Sequence, residues 1–233
     1  MSRVVVTGAA GGLGGALAAG YLERGWEVWA GCRVPDRAVG LSRRGAHVCR
    51  VDVGDEDLVG QFAACVAAAG DVDVLINAAG ADARAFGAAA GERGPFEISV
   101  EHFLAEMRVN AAGPMLVTRA LLPQLISGVP GKVVNLSSRL ASMQVGARLC
   151  WDIGYNASKA ALNAVTVRTA RLVADAGVVV VAVHPGWVRT RMGGPDASVE
   201  PGQAAGELIG MIGGLRREHS GMFLQRDGRP HPW

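Results

Sequence analysis

Lysine is nearly absent from this chain of 233 residues: Lys132 and Lys159 are the only two, and arginine carries the rest of the positive charge. Tyrosine is as scarce, with two residues, and aromatic side chains make up only 5%. Where a plain cation suffices this sequence uses arginine, so a lysine placed beside one of the two tyrosines is informative. The formal net charge is +2 and no basic run occurs, which argues against a nucleic acid or other polyanion as partner. The four cysteines, Cys32, Cys49, Cys65 and Cys150, show no CxxC or cysteine–histidine spacing, so reduced thiols are expected and no metal. No apolar run reaches the length of a membrane span, and MSRVVVTG opens on a strand without a charged leader. The expectation is a soluble cytoplasmic protein with no membrane partner.

What is present is a regular alternation. Short β-branched runs predict strands over 3–7, 27–32, 47–52, 72–77, 132–137 and 178–184, separated by helical stretches at 13–24, 55–69, 100–125 and 155–174. Runs such as VDVLIN and VVVVAV lack a polar face, as strands covered on both sides do. Strand–helix alternation predicts right-handed crossovers and a doubly wound parallel α/β sheet flanked by helices. Residues 83–94, rich in Ala, Gly and Arg, read as a surface loop. No repeat or linker divides the chain, so residues 1–233 are expected to form a single domain.

The first strand runs into TGAAGGLGGALA. Thr7, Gly8, Gly12, Leu13 and Gly14 form a TGxxxGxG turn at the head of a helix. Glycines let the backbone approach a pyrophosphate, and the helix start offers free N–H groups and a positive dipole end. A glycine-rich loop alone is a weak signal; its place between the first strand and first helix of a βαβ unit makes it a dinucleotide site of Rossmann-like type. After the second strand comes AGCRVPDR. Arg33 stands where a carboxylate would hold the ribose hydroxyls of NAD, and a guanidinium suits a 2′-phosphate. NADP(H) is therefore favoured, and Asp36 keeps NAD(H) possible.

In YNASKAALNAV, Tyr155 and Lys159 are four apart and share a helix face. A free phenol ionises near pH ~10; a cation about 4 Å away, at an effective dielectric near 20, contributes on the order of 4 kcal/mol, or about three pKa units. That would bring Tyr155 toward service as general acid and base. Upstream, NLSS puts Ser137 and Ser138 at a strand end, where a hydroxyl can hold a substrate carbonyl, or simply cap a turn. HPGWVRTRMGGPDA joins a strand-ending Pro-Gly to a glycine-hinged segment suited to a substrate lid. Trp187 within it reads first as a packed loop residue.

Taken in order, TGAAGGLG, Asp52 with Val53, NAAG at 77–80, VNAAGP, NLSS, YNASK and HPGWVRT resemble the short-chain dehydrogenase/reductase family over nearly the whole chain. AGCR, SKAALN, HPGWVRTRMGGPDASVEPG and SGMFLQRDGRPHPW are similar to its C-factor and sniffer-type carbonyl reductases. The resemblance implies that Asn110 kinks its helix and holds a water in a proton relay, completing a catalytic set with Ser138, Tyr155 and Lys159. It implies that Asp52 and Val53 flank the adenine and that Asn77, Ala78, Ala79 and Gly80 steady the sheet beside the cofactor. Pro185 and Gly186 would line the nicotinamide, and Val188 and Thr190 would bond its carboxamide. Gly11 departs from the pattern, since many NADP-dependent members carry a basic residue there. The stretch between Ser138 and Tyr155 is longer than in many members and holds Arg148, Cys150, Trp151 and Asp152.

The implied activity is NADPH-dependent reduction of a small-molecule carbonyl, or oxidation of the matching alcohol, by a homodimer or homotetramer joined through the helices over 100–125 and 155–174. Two alternatives stay open: a non-redox tailoring enzyme (a cyclase, isomerase or dehydratase) on the same fold, and a cofactor-binding signalling protein.

Overall fold

The computed structural model describes residues 2–127, 131–146 and 152–233. Seven strands form one parallel sheet: β1 (Arg3–Thr7), β2 (Glu27–Cys32), β3 (His47–Arg50), β4 (Val74–Asn77), β5 (Lys132–Leu136), β6 (Val179–His184) and β7 (Phe223–Gln225), in the spatial order 3-2-1-4-5-6-7. Between and after them lie α1 (Gly12–Leu22), the one-turn α2 (Val39–Ser42), α3 (Glu56–Ala67), α4 (Val100–Met107), α5 (Gly113–Ile126), α6 (Ile153–Leu172) and α7 (Pro201–Gly213). The expected fold, a doubly wound parallel sheet, is what the chain forms.

Alternate residues of each strand feed two hydrophobic layers. Val4 and Val6 of β1 join Leu17 and Tyr21 of α1 and Leu208 and Ile212 of α7 on one face. Val5 joins Phe62 of α3, Leu121 of α5 and Ala170 of α6 on the other. A parallel sheet buried this way has no room for polar alternation, which is why VVV and VVVVAV read as continuous apolar runs. The register pairs Val5 with Trp29 on one side and with Leu75 on the other. The strand order reverses between β1 and β4, and the crevice beyond their carboxyl ends is where such sheets bind ligands.

Several boundaries differ from expectation. β3 stops at Arg50 rather than 52, because Asp52 leaves the ladder and its Oδ1 accepts the Gly54 N–H at 3.0 Å. The helical stretch expected over 100–125 is two helices joined by a π turn at Arg108–Ala112, with Asn110 buried inside it. α7 was not expected, since PGQAAGELIGMIG is rich in glycine. It forms because Ala204, Ala205, Leu208, Ile209 and Ile212 make one buried stripe, with Pro201 in its first turn. β7 is three residues long; it pairs with β6, and Leu224 also bridges to Pro230. The segment 83–94 carries two short 3₁₀ turns, and Ala83 within it is fully buried. Arg148, Cys150 and Trp151 lie outside the described residues.

Candidate active site

The turn after β1 is built around missing side chains. Gly8 has φ +70°, and a Cβ there would stand 2.8 Å from the Cα of Ala79. A Cβ on Gly14 would meet the Gly8 carbonyl oxygen at 2.5 Å, so the first turn of α1 lies directly on the loop. Gly12 has φ +55°, and a Cβ there would stand 3.3 Å from the Thr190 Cγ2. No side chain caps α1 and no acidic residue occupies its first turn, which leaves its leading N–H groups and dipole end to an anion. Leu13 packs beneath the turn against Val188 and Val199. The residues fit an extended phosphate-bearing molecule lying across β1 and β4.

Thr7 ties the two strand ends together: its Oγ1 accepts the N–H groups of Ala78 at 3.1 Å and Ala79 at 3.2 Å. Asn77 points the other way, into the protein, donating to Asn135 Oδ1 at 2.8 Å and Thr118 Oγ1 at 3.2 Å. These bonds join the end of β4 to β5 and α5. Arg33 is exposed at the carboxyl end of β2 and makes no ion pair among the described residues. Val53 is buried and Asp52 half-buried beyond β3, on the same side of the crevice as Arg33.

Across the switch point the reactive side chains converge. Asn110 is held by three bonds: its Oδ1 accepts Ala81 N–H at 2.9 Å, and its Nδ2 donates to Ala81 O at 2.7 Å and Ser158 Oγ at 2.9 Å. The π turn aims it there, clamping the loop after β4 to α6. A Cβ on Gly80 would lie 3.4 Å from Asn110 Oδ1 and 3.6 Å from Lys159 Nζ, so these groups line one spot. Lys159 is 4% exposed; its ammonium donates to Leu136 O at 2.8 Å and sits 5.8 Å from the centre of the Tyr155 ring. Ser138 caps the 3₁₀ turn that follows it, accepting Leu140 N–H at 3.2 Å, and also hydrogen-bonds Tyr155. Ser137 instead donates to Asn163 inside the fold at 2.7 Å. Of the two serines, only Ser138 faces the tyrosine.

Electrostatics modify the sequence argument. Burial lowers Lys159 to about 8, which still leaves it cationic at neutral pH. Tyr155 is pushed upward, first by burial and then by Asp152 and Asp82, with the Ser138 hydrogen bond opposing. The expected drop of about three units, drawn from a cation at about 4 Å, is thus not what the protein groups impose. Lys159 Nζ lies 5.8 Å from the centre of the Tyr155 ring and gives a hydrogen bond to the Leu136 carbonyl. Asp152 stood out in the sequence only as part of the longer stretch before Tyr155, and Asp82 and Glu106 gave no signal there; Glu106 is fully buried on α4, and Asp82 and Asp152 nearly so. Among the described residues no group of histidine, cysteine or carboxylate side chains is placed to hold a metal.

The segment after β6 closes the crevice. Gly186 has φ +91°, and Val188 forms a bridge to Val199. Thr190 Oγ1 accepts Gly193 N–H at 3.1 Å, and Trp187 Nε1 donates to Gly193 O at 2.8 Å, so the half-exposed Trp187 staples its own loop. Arg84 reaches over to Met192 O at 2.8 Å while holding Asp82 at 2.9 Å through Nε. Pro185 thus leads into a loop tied to both the α1 turn and the segment after β4.

Comparison with known proteins bears on this arrangement. The C-signal protein of Myxococcus xanthus is 36% identical over 167 residues, 70% of this chain and 94% of that protein. Other curated relatives are longer, and the chain spans 42% to 60% of several of them. The NADPH-bound carbonyl reductase from chicken fatty liver superposes with a TM-score of 0.90 at 26% identity, covering 100% of this chain and 99% of that one. The carbonyl reductase Sniffer of Drosophila melanogaster gives 0.85 at 26% identity over 100% and 99%. The family model described as short chain dehydrogenase matches residues 2–200. With its switch-point crevice and its Ser–Tyr–Lys–Asn cluster at the carboxyl ends of the strands, the chain belongs to the short-chain dehydrogenase family.

Proposed function

We propose that this oxidoreductase reduces a small carbonyl compound with NADPH, or oxidises the matching alcohol with NADP⁺. The observation that carries the reading is the meeting of Ser138, Tyr155 and Lys159 beside Gly80 and Asn110. The uncapped glycine turn of residues 8–14 would hold the pyrophosphate, Asp52 and Val53 the adenine side, and Pro185, Gly186, Val188 and Thr190 the nicotinamide side. Exposed Arg33 suits a 2′-phosphate, and the NADPH named for the chicken reductase supports that preference. The cofactor supplies or accepts the hydride.

The chain's own part is to hold the carbonyl and move a proton. Ser138 and Tyr155 would both bond the carbonyl oxygen, and Tyr155 would give it a proton as the alcohol forms. Lys159, cationic near neutrality, would grip the ribose and stabilise the phenolate left behind. Asn110 fixes the Ala81 loop and α6 at the distance this requires. Exposed Phe96, Met143 and Met192 on the surrounding loops suit an apolar carbonyl substrate. Exposed Val100, Leu104 and Met115 on α4 and α5, with Val167 and Leu172 on α6, support assembly into a homodimer or homotetramer.

NADPH consumption against aldehydes, ketones and quinones tests the reading, with Tyr155→Phe run alongside. Turnover lost by at least about a hundredfold in the variant, with NADPH still bound, is the expected result. Turnover that survives removes Tyr155 from the proton step. The C-signal relative favours one further reading, a signalling role in which the bound cofactor rather than turnover matters. NADPH binding with no turnover over a broad panel would favour it.

A further inference from the structure

Glu106 is a buried carboxyl that the proposed reaction leaves unused. It is completely shielded from solvent, and among the described residues neither of its oxygens makes a well-formed hydrogen bond, the Ala83 N–H alone being turned toward it. It projects from α4 onto the start of α6, next to the tyrosine: a Cβ on Gly154 would be driven into the Glu106 carboxylate and against Ile98. Position 154 must therefore lack a side chain for Glu106 to fit there. The groups around it come from every neighbouring element. Asp152 lies at the amino end of α6 with its Oδ1 unpartnered, and Arg93 bonds its other oxygen at 3.2 Å. Asp82 follows β4 and is held by Arg84, and the Ala83 N–H is the one backbone group that favours the Glu106 anion.

We propose that Glu106 is a positioning residue for proton transfer: with Asp82 and Asp152 it forms an electronegative wall beside Tyr155 that keeps the phenol protonated and biases the site toward carbonyl reduction. The inference rests on Tyr155 being the proton donor of the proposed reductase. In reduction the Tyr155 O–H bond breaks as the product O–H forms, while the carbonyl carbon takes hydride from NADPH. Alcohol oxidation runs the reverse and must begin from the phenolate, the state the wall disfavours. Of the three carboxyls, Glu106 alone has no cation paired to it. Burial, then Asp152 and Asp82, raise it to about 8, against the weaker pull of Ala83 N–H and Arg93. It is neutral below that pH and adds its negative charge above it, so the bias toward reduction grows as the solution becomes alkaline.

The test is Glu106→Gln in the holoenzyme, with NADP⁺-linked alcohol oxidation followed as a function of pH. Below pH about 8 wild type and variant should coincide, since Glu106 is then uncharged. Above it the variant should oxidise alcohol faster, by less than the roughly tenfold that a full unit in the tyrosine would give because Glu106 acts on Tyr155 more weakly than Asp152 and Asp82, and the inflection in the wild-type profile should vanish. A variant slower by the same factor at every pH has only lost packing, and that outcome overturns the proposal, as do superimposable profiles. Infrared spectroscopy gives a second readout that needs no turnover. The wild type should show a protonated-carboxyl stretch that fades near pH about 8 and is missing in Glu106→Gln. In Asp152→Asn the fading should move to lower pH, because a neighbouring negative charge has been removed. No such band in the wild type overturns the proposal. If the infrared result holds and no carbonyl or alcohol is turned over, it is the reductase reading that fails.

Discussion

Gly14→Ala should cripple cofactor binding, whereas Gly11→Ala, three residues away in the same glycine-rich run, should leave it nearly intact. A methyl on Gly14 stands 2.5 Å from the Gly8 carbonyl oxygen and 3.2 Å from that of Thr7, while ordinary contact begins near 3.4 Å. The start of α1 must therefore back away from the turn by about 0.9 Å. Overpacking of that kind costs about 1–3 kcal/mol, and the better helix propensity of alanine returns about 1 kcal/mol. The net loss, up to about 2 kcal/mol, lowers the melting temperature by up to about 8 °C in a chain of this size. Binding suffers more, because the N–H groups of the turn leave the place where a pyrophosphate would meet them. Losing one charge-assisted hydrogen bond weakens binding by roughly ten- to a hundredfold.

Gly11 is different: its φ of 165° is extended backbone open to any residue, and no atom lies within 4 Å of an added Cβ. Calorimetric titration with NADPH, together with thermal melts of both variants, measures the contrast. If Gly14→Ala binds NADPH as the wild type does, the close approach of loop and helix has no part in holding the cofactor. If Gly11→Ala loses as much as Gly14→Ala, the damage is not the steric one argued here.

Two further outcomes follow from the same structure. Arg33→Glu places a carboxylate where a 2′-phosphate would lie, so NADPH should weaken relative to NADH by at least about tenfold in paired affinity measurements; an unchanged ratio removes Arg33 from cofactor choice. His184 is held neutral, down to about 4, by burial first and then by His231, Arg139 and Arg226. Because its folded value lies below the free one, its contribution is whole above pH ~6.5 and is lost as pH falls toward 4. Chemical denaturation across that window should show the wild type losing more stability than His184→Gln, and equal losses would refute the assignment.

The fold was legible because its strands are covered on both faces. Val4, Val5 and Val6 all have apolar neighbours, so the period-two signal disappears and a solid run remains, which is itself a signature of a parallel sheet. What escaped was decided by tertiary contact. α7 carries glycines that weaken it as an isolated helix, and its stripe forms only because α1 is there to receive it. β7 exists because β6 offers an edge to three residues. Asp52 was counted into β3, but a polar side chain bonding its own backbone two residues on turns the chain out of the ladder.

The cluster of Ser138, Tyr155 and Lys159 was legible for a different reason: its members lie at places that chain geometry fixes. Tyr155 and Lys159 share a helix face by spacing, Ser138 stands at a strand end, and the scarcity of lysine drew attention to Lys159. Lys132 donates to the last carbonyls of α7 at 2.8 and 3.1 Å, and Lys159 to Leu136 O at 2.8 Å; each is a narrow ammonium reaching a backbone oxygen in a partly or wholly buried place. The field around Tyr155 could not be read this way. It is set first by burial and then by Asp152 and Asp82, with Glu106 adding least, and Glu106 fits there because Gly154, far along the chain, has no Cβ to exclude it. Spacing within a motif says which groups can touch. The charge each group carries is set by what else is packed against it, and for Tyr155 the carboxyls responsible come from three separate stretches of chain.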